Sequence, residues 1–242
     1  NNATVRKSLT ISGNGNTVYL GSPITVDKAG AVVALRGLVL DGQGTIDDGI
    51  SIVAAAAVHI ERCVVHGFTQ YGINATANGV EVFVIDSVSR DNGSFGLRTL
   101  GAGASRLTVD NSRFDSNDAT GVVVLGGRAT ISRSTASGNN YGIALSNASV
   151  AVMSTMVVQN SNTGFTAGSG STMTVESSVA HGNGVSGLTV GGGGVARISN
   201  STFTSNATGI FNSGGTIETR QNNTVRGNAT NVSGALTAIG GV

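Results

Sequence analysis

Short stretches of alternating apolar and polar residues recur along this chain: HIERCVVHGF (59–68), VIDSVSRDN (84–92), VDNSRFDSN (109–117), ISRSTASGN (131–139), VESSVAHGN (175–183) and ISNSTFTSN (198–206). Successive side chains of a strand point to opposite faces, so each stretch reads as short strands with one face in and one face out. Valine and isoleucine are frequent in these runs, glycine numbers 37 and proline one, a balance that favours many short strands over helices. An asparagine-rich bend follows each run and leads to a glycine, as in DSNDATGV (115–122), SGNNYGI (137–143) and TSNATGI (204–210).

The glycines that end the copies are Gly49, Gly72, Gly96, Gly121, Gly142, Gly164, Gly187 and Gly209, with Asn231 in the corresponding last place, at intervals of 21 to 25 residues. A period of this length without a helical stripe predicts a solenoid of β coils. Leucine-rich repeats share the period but need leucine at fixed places, where this chain has few. Aligned on the glycine, one inward column reads Val65, Ser89, Phe114, Ala136, Val157, Ala180, Phe203 and Val225. A second inward column reads Cys63, Ser87, Ser112, Ser134, Thr155, Ser178, Ser201 and Asn223, small polar groups suited to hydrogen bonding along the axis. Asn92, Asn117, Asn139, Asn160, Asn183, Asn206 and Asn228 are expected at a bend, taking left-handed backbone and bonding to the asparagine one coil away. The glycine that follows is expected to turn the chain into the next strand. Tyr71, Phe95 and Tyr141 are expected to form a partial aromatic column.

The N-x-x-x-G-I pattern resembles that of the pectate-lyase-like superfamily, and in particular the secreted bacterial right-handed β-helix repeat proteins, over about residues 8 to 235. That resemblance implies an all-β, single-stranded right-handed parallel β-helix of about ten coils and a secreted, cell-surface or periplasmic location. Coils stacked at ~4.8 Å would make a rod about 45 Å long. The expected organisation is one domain over 1–242, with an irregular first coil or cap at 1–30, regular coils at 31–230 and a C-terminal cap at 231–242. No amphipathic helix precedes the first coil, and solenoid ends are exposed edges, so self-association through them is one expectation.

Composition narrows the partners. Charged residues are 11% of the 242 and net charge is +1, which gives no basic footprint for nucleic acid. The longest apolar run, ISIVAAAAV (50–58), is far short of a membrane span. NNATVRKSLT lacks the plan of a signal peptide, as expected of a mature or trimmed chain. A single cysteine, Cys63, excludes an internal disulfide.

The long parallel face is where enzymes of the resembling superfamily bind polysaccharide. Asp41, His66, Arg90 and Asp115 are expected in one outward column on four consecutive coils, as catalytic candidates. Arg62, Asp86, Asn111 and Arg133 are expected in a second, and Val64, Val88, Arg113 and Thr135 in a third, with Arg62, Asp86, Arg113 and Arg133 as binding candidates. An acid beside a histidine and an arginine suits uronate binding or acid–base chemistry on a sugar. The plainer reading is a ladder of opposite charges forced together by in-register stacking.

IDDGISI (46–52), His66-Gly67 and LDGQG (40–44) resemble motifs of polygalacturonase-type glycoside hydrolases. Carried over, Asp47 and Asp48 match the paired aspartates and His66 the histidine, but no Asn-Thr-Asp precedes the pair and no Arg-Ile-Lys follows the histidine. Asp110, Asp115 and Asp118 lie close together in sequence, but Asp110 falls on a different part of the coil, and no His or Cys spacing suits a metal, so no cofactor or metal is expected. Thr-x-Thr, as at TFT (202–204), does not recur at the same place on successive coils as an ice-binding face would need, and the sequons at Asn147, Asn206 and Asn228 are read as by-products of the turns.

The function expected from these residues is an extracytoplasmic scaffold or glycan-interaction module without conventional catalysis. A polysaccharide hydrolase or lyase and a self-assembling structural protein are the alternatives. The insertions at 53–58, 75–81 and 99–106 are short for groove walls.

Overall fold

A computed structural model describes residues 3–14, 18–101 and 105–240; the middle of the 99–106 insertion and part of the first coil lie outside the described residues. No helix occurs among them, and none is therefore long and apolar enough to cross a membrane. Each coil but the last contributes one strand to each of three sheets. Sheet 1 has eleven strands, from Ala3–Val5 to Thr230–Ser233, and sheet 2 has eleven, from Leu9–Ser12 to Thr237–Ala238. Sheet 3 has ten, from Val18–Leu20 to Thr224–Arg226. All named strands pair in parallel with the equivalent strand one coil away, for example Val88–Arg90 with Val64–His66 and Arg113–Asp115. The result is the parallel β-solenoid that the period predicts. Among the described residues one register shift occurs, where Val26–Asp27 faces Ile52–Ala54.

The inward columns fall as the alternation requires. Val65, Ser89, Phe114, Ala136, Val157, Ala180 and Phe203 are buried in sheet 3, and Val225 packs against the core from the last coil. In the second column the backbone N–H of Cys63 donates to Ser87 Oγ, that of Ser87 to Ser112 Oγ and that of Ser112 to Ser134 Oγ, each at 3.1 Å. Each serine hydroxyl turns to a carbonyl of its own coil, as Ser87 does to Ile85 at 2.8 Å. Cys63 keeps the same place, its thiol donating to the Leu35 and Glu61 carbonyls at 3.4 Å. Burial pushes this thiol above its ordinary 9.0.

Two expectations about the bend are corrected. The left-handed residue is the one before the asparagine: Asp91, Ser116, Gln159 and Ser205, with glycine at 67, 138, 182 and 227 in the same place. The asparagines keep ordinary backbone, so their carboxamides point inward, where Asn117, Asn139 and Asn160 are at most 2% exposed. A second left-handed position, held by Arg62, Asp86, Asn111 and Arg133 among others, turns the chain from sheet 2 to sheet 3.

The repeat glycine is likewise no turn residue. It lies inside each sheet 1 strand, as Gly72 does in Tyr71–Ala75. A Cβ at Gly49, Gly72, Gly96, Gly121, Gly142, Gly164 or Gly187 would meet the carbonyl of the next glycine of the column at 2.6–2.8 Å. At Gly209 it would meet the Asn231 carbonyl at 2.6 Å. Close approach of successive backbones, not a bend, requires the absent side chain.

Candidate functional site

The register brings Asp41, His66, Arg90 and Asp115 into one outward column of sheet 3. Val64, Val88, Arg113 and Thr135 stand in another. Their charges are used locally. His66 Nδ1 lies 3.8 Å from Asp41 Oδ1, which also accepts the Gln43 backbone N–H at 3.0 Å. Arg90 pairs with its neighbour Asp91, while Asp115 is held by Arg113 at 2.8 Å and by the Ser137 hydroxyl. At the adjoining turn Asn111 donates to Asp86 at 2.7 Å and Arg133 pairs with Asp110, whereas Arg62 makes no ion pair among the described residues. Arg90, Arg113 and Arg133 are 44%, 65% and 66% exposed, so these pairs contribute little to stability. No group of three or more metal-ligating side chains occurs among the described residues.

A different cluster stands on the outer face of sheet 1. Asp48 is the register partner of Tyr71, and Ser51, Asn74 and Arg98 occupy equivalent places on three consecutive coils. Ser51 Oγ and Asn74 Nδ2 both donate to Asp48 Oδ2, at 2.8 and 2.9 Å. The Arg98 guanidinium lies over the Tyr71 ring, 4.9 Å from its centroid, and Tyr71 stacks on Phe95 with centroids 5.4 Å apart and planes 8° from parallel. Asn74 Oδ1 and Arg98 Nε are shielded and have no hydrogen-bond partner. Shielded polar atoms without partners are uncommon, and an acceptor and a charged donor share this patch.

Beside the cluster lies an open depression of about 370 Å³, lined by Pro23, Thr25, Thr45, Asp47, Asp48 and Ser51. Asp47 Oδ1 accepts the Thr69 hydroxyl at 3.0 Å. The arrangement offers a carboxylate, a guanidinium, a phenol and an apolar stack along one line of coils, groups that recognise hydroxyls, an anionic substituent and a sugar face.

Sequence reading singled out Asp47 and Asp48 as a hydrolase-like pair and Tyr71 and Phe95 as structural, and it passed over Ser51, Asn74 and Arg98. The stack is confined to Tyr71 and Phe95, because Thr120 separates Phe95 from Tyr141. Arg98 stands three residues after Phe95, as Asn74 does after Tyr71. That shared spacing within the repeat was the available signal.

A family model described as a right-handed beta helix region matches residues 2–149 and again 48–230. The chain belongs to that family. Among solved structures it is similar to the A-module of the Azotobacter vinelandii mannuronan C-5 epimerase AlgE4, with a TM-score of 0.69 at 16% identity, covering 99% of this chain and 85% of that one. It is similar to the periplasmic alginate epimerase AlgG, with a TM-score of 0.55 at 11% identity over 98% and 76% of the two chains. The pectate lyase Pel9A gives 0.51 at 17% identity over 91% and 69%. At these identities the likeness concerns the right-handed parallel fold. No curated protein matches the chain in sequence.

Proposed function

We propose that this β-helix protein is an extracytoplasmic module that binds an acidic polysaccharide along the outer face of sheet 1. The observation that carries this reading is the Asp48, Tyr71, Asn74 and Arg98 cluster beside its open depression. Arg98 meets a uronate carboxylate, Asp48 and Ser51 meet sugar hydroxyls, and the Tyr71–Phe95 stack supplies apolar surface. The coil repeat of ~4.8 Å sets Ser51, Asn74 and Arg98 at regular steps, a geometry suited to an extended chain. Epimerases and a lyase among the structures of similar fold act on polysaccharides by name, which supports the ligand class and a secreted or periplasmic place.

A second reading is favoured by one contact. With a uronate carboxylate neutralised by Arg98, whose guanidinium lies 4.9 Å from the Tyr71 ring centroid, the Tyr71 oxygen is the candidate base for the proton on the carbon next to that carboxylate. Transfer of that proton to Tyr71 leaves an enolate: a proton delivered from water on the opposite face would invert the carbon, whereas expulsion of the neighbouring glycosidic oxygen, protonated by water as it leaves, would cleave the chain.

Calorimetric titration with alginate and polygalacturonate oligosaccharides tests the first reading. Binding by the wild type that Arg98→Gln loses, with Arg90→Ala unaffected, is the expected result, and equal binding by Arg98→Gln and wild type would sink it. Incubation of the binding sugar in D2O tests the second: deuterium at the carbon bearing the carboxylate, or an unsaturated product, absent with Tyr71→Phe, converts the module into an enzyme.

A further inference from the structure

Sheet 2 carries an unusual pair on its outer face. The register stacks Glu81, Arg106, Arg128 and Ser149 in one column. Arg106 and Arg128 therefore face each other directly across strands ~4.8 Å apart, an arrangement that costs stability when both charges are bare. Elsewhere the same sheet sets arginine against acid, as Arg36 against Glu61 at 2.8 Å and Arg197 against Glu218 at 2.6 Å. Among the described residues no other two arginines are register partners.

Compensation within the column is slight. Glu81 approaches Arg106 only to 3.9 Å, on the side away from Arg128, and Arg106 is 70% exposed. Arg128 is exposed, and its side chain makes no ion pair or hydrogen bond among the described residues. The next column places Thr108 opposite Thr130, and these residues line an open depression of about 300 Å³ with Arg106, Arg128, Ser149 and Ala151. One coil before Thr108, Phe83 stacks on His59 with centroids 4.6 Å apart and planes 4° from parallel. Two guanidiniums, two hydroxyls and a flat ring stack thus meet on one face.

We propose that Arg106 and Arg128 form a binding site for an oxyanion, a sulfate or a carboxylate, seated between the two guanidiniums with the Thr108 and Thr130 hydroxyls as further donors. The anion converts the like-charged pair into two charge-assisted contacts, which accounts for a juxtaposition the rest of the sheet avoids. This site is on a different sheet from the Arg98 cluster, and the inference stands whether or not that cluster binds polysaccharide.

The test uses the whole chain and four probes: sodium sulfate, trigalacturonate, a sulfated tetrasaccharide and a neutral oligosaccharide of equal length. Titration calorimetry is expected to show saturable binding of at least one anionic probe and none of the neutral one. Arg106→Gln and Arg128→Gln, each made in an Arg98→Gln background so that the sheet 1 cluster does not contribute, should each weaken it by about tenfold or more, the loss of one charge-assisted contact. Sulfate binding as tightly as the oligosaccharides assigns the site to a free anion; tighter oligosaccharide binding assigns it to a glycan. In low salt without ligand, Arg128→Gln is expected to melt at or above the wild-type temperature, since it removes a repulsion. A lower melting temperature, or anion binding that neither variant changes, overturns the proposal.

Discussion

Asn139 Nδ2 donates to Asn160 Oδ1 at 3.1 Å, although the two residues are 21 apart in sequence. The same oxygen accepts the Asn139 backbone N–H at 3.1 Å, and Asn139 in turn receives the backbone N–H and side-chain amide of Asn117 at 2.8 and 3.0 Å. Similar bonds link Asn160, Asn183, Asn206 and Asn228. Each carboxamide also donates inward to a carbonyl, that of Asn139 to Phe114 at 2.9 Å.

Replacing Asn139 with alanine removes the acceptor of the buried Asn117 backbone N–H, one of the two acceptors of the Asn117 amide and the side-chain donor to the Phe114 carbonyl. A loss of about 3 kcal/mol is expected from orphaning buried groups. Urea denaturation checks it, with Asn222→Ala, on the exposed side of the last coils, as a comparison expected to lose far less.

Gly142→Ala is expected to destabilise as strongly, because its Cβ would meet the Gly164 carbonyl at 2.6 Å and Val157 at 3.0 Å. Four residues earlier, Gly138 occupies a left-handed place that Ser116 and Gln159 fill on the adjacent coils. Gly138→Asn should cost no more than about 1 kcal/mol. Thermal melts of the two variants side by side separate close approach from backbone freedom; equal losses would contradict the distinction.

The charged column of sheet 3 is expected to behave as a surface ladder. Arg90→Ala, Asp115→Ala and the double variant should each change stability by less than about 1 kcal/mol, since most of these pairs are partly exposed. Glycan binding lost with this double variant and kept by Arg98→Gln would move the site to sheet 3.

Cys63 gives the chain an alkaline weakness. Its thiol is raised in the folded state by burial, so the neutral form stabilises the fold fully below the ordinary value of 9.0 and that contribution is lost as pH rises beyond it. Cys63→Ser should flatten the decline in stability above that pH and cost less than about 1.5 kcal/mol at neutral pH, a near-isosteric change in a column otherwise of serine and threonine. A thiol reagent is expected to leave the native protein unlabelled and to react after unfolding.

Much of the fold was legible because parallel stacking writes itself into sequence: a residue's neighbour in space is its counterpart one period on. Val65, Phe114 and Phe203 could be placed inside, and Asp41, His66, Arg90 and Asp115 in one column, from period and alternation alone. Backbone conformation was less legible. Asn and Gly are the usual residues of left-handed turns, and at this bend that role falls to the residue before the asparagine, Asp91, Ser116 and Gln159 as well as Gly138 and Gly182, while Asn139 and Gly142 serve packing. The sheet 1 cluster was obscured for a related reason. Tyr71 and Phe95 sit beside the repeat glycine and were absorbed into the repeat, and Arg98 gains meaning only when three coils are laid over one another.

The glycine column also makes the molecule a ruler. Because each repeat glycine from Gly49 to Gly187 faces another glycine, removal of one whole coil would bring Gly121 against Gly164 and Asn117 against Asn160 with each contact remade. Distances along the axis, such as that between the Arg98 cluster and either end, can therefore change during evolution only in steps of ~4.8 Å. Insertion of a few residues within a strand would instead throw every column above it out of line. Length in this chain is quantised, and any spacing between surfaces that matters to a long polymer is counted in coils.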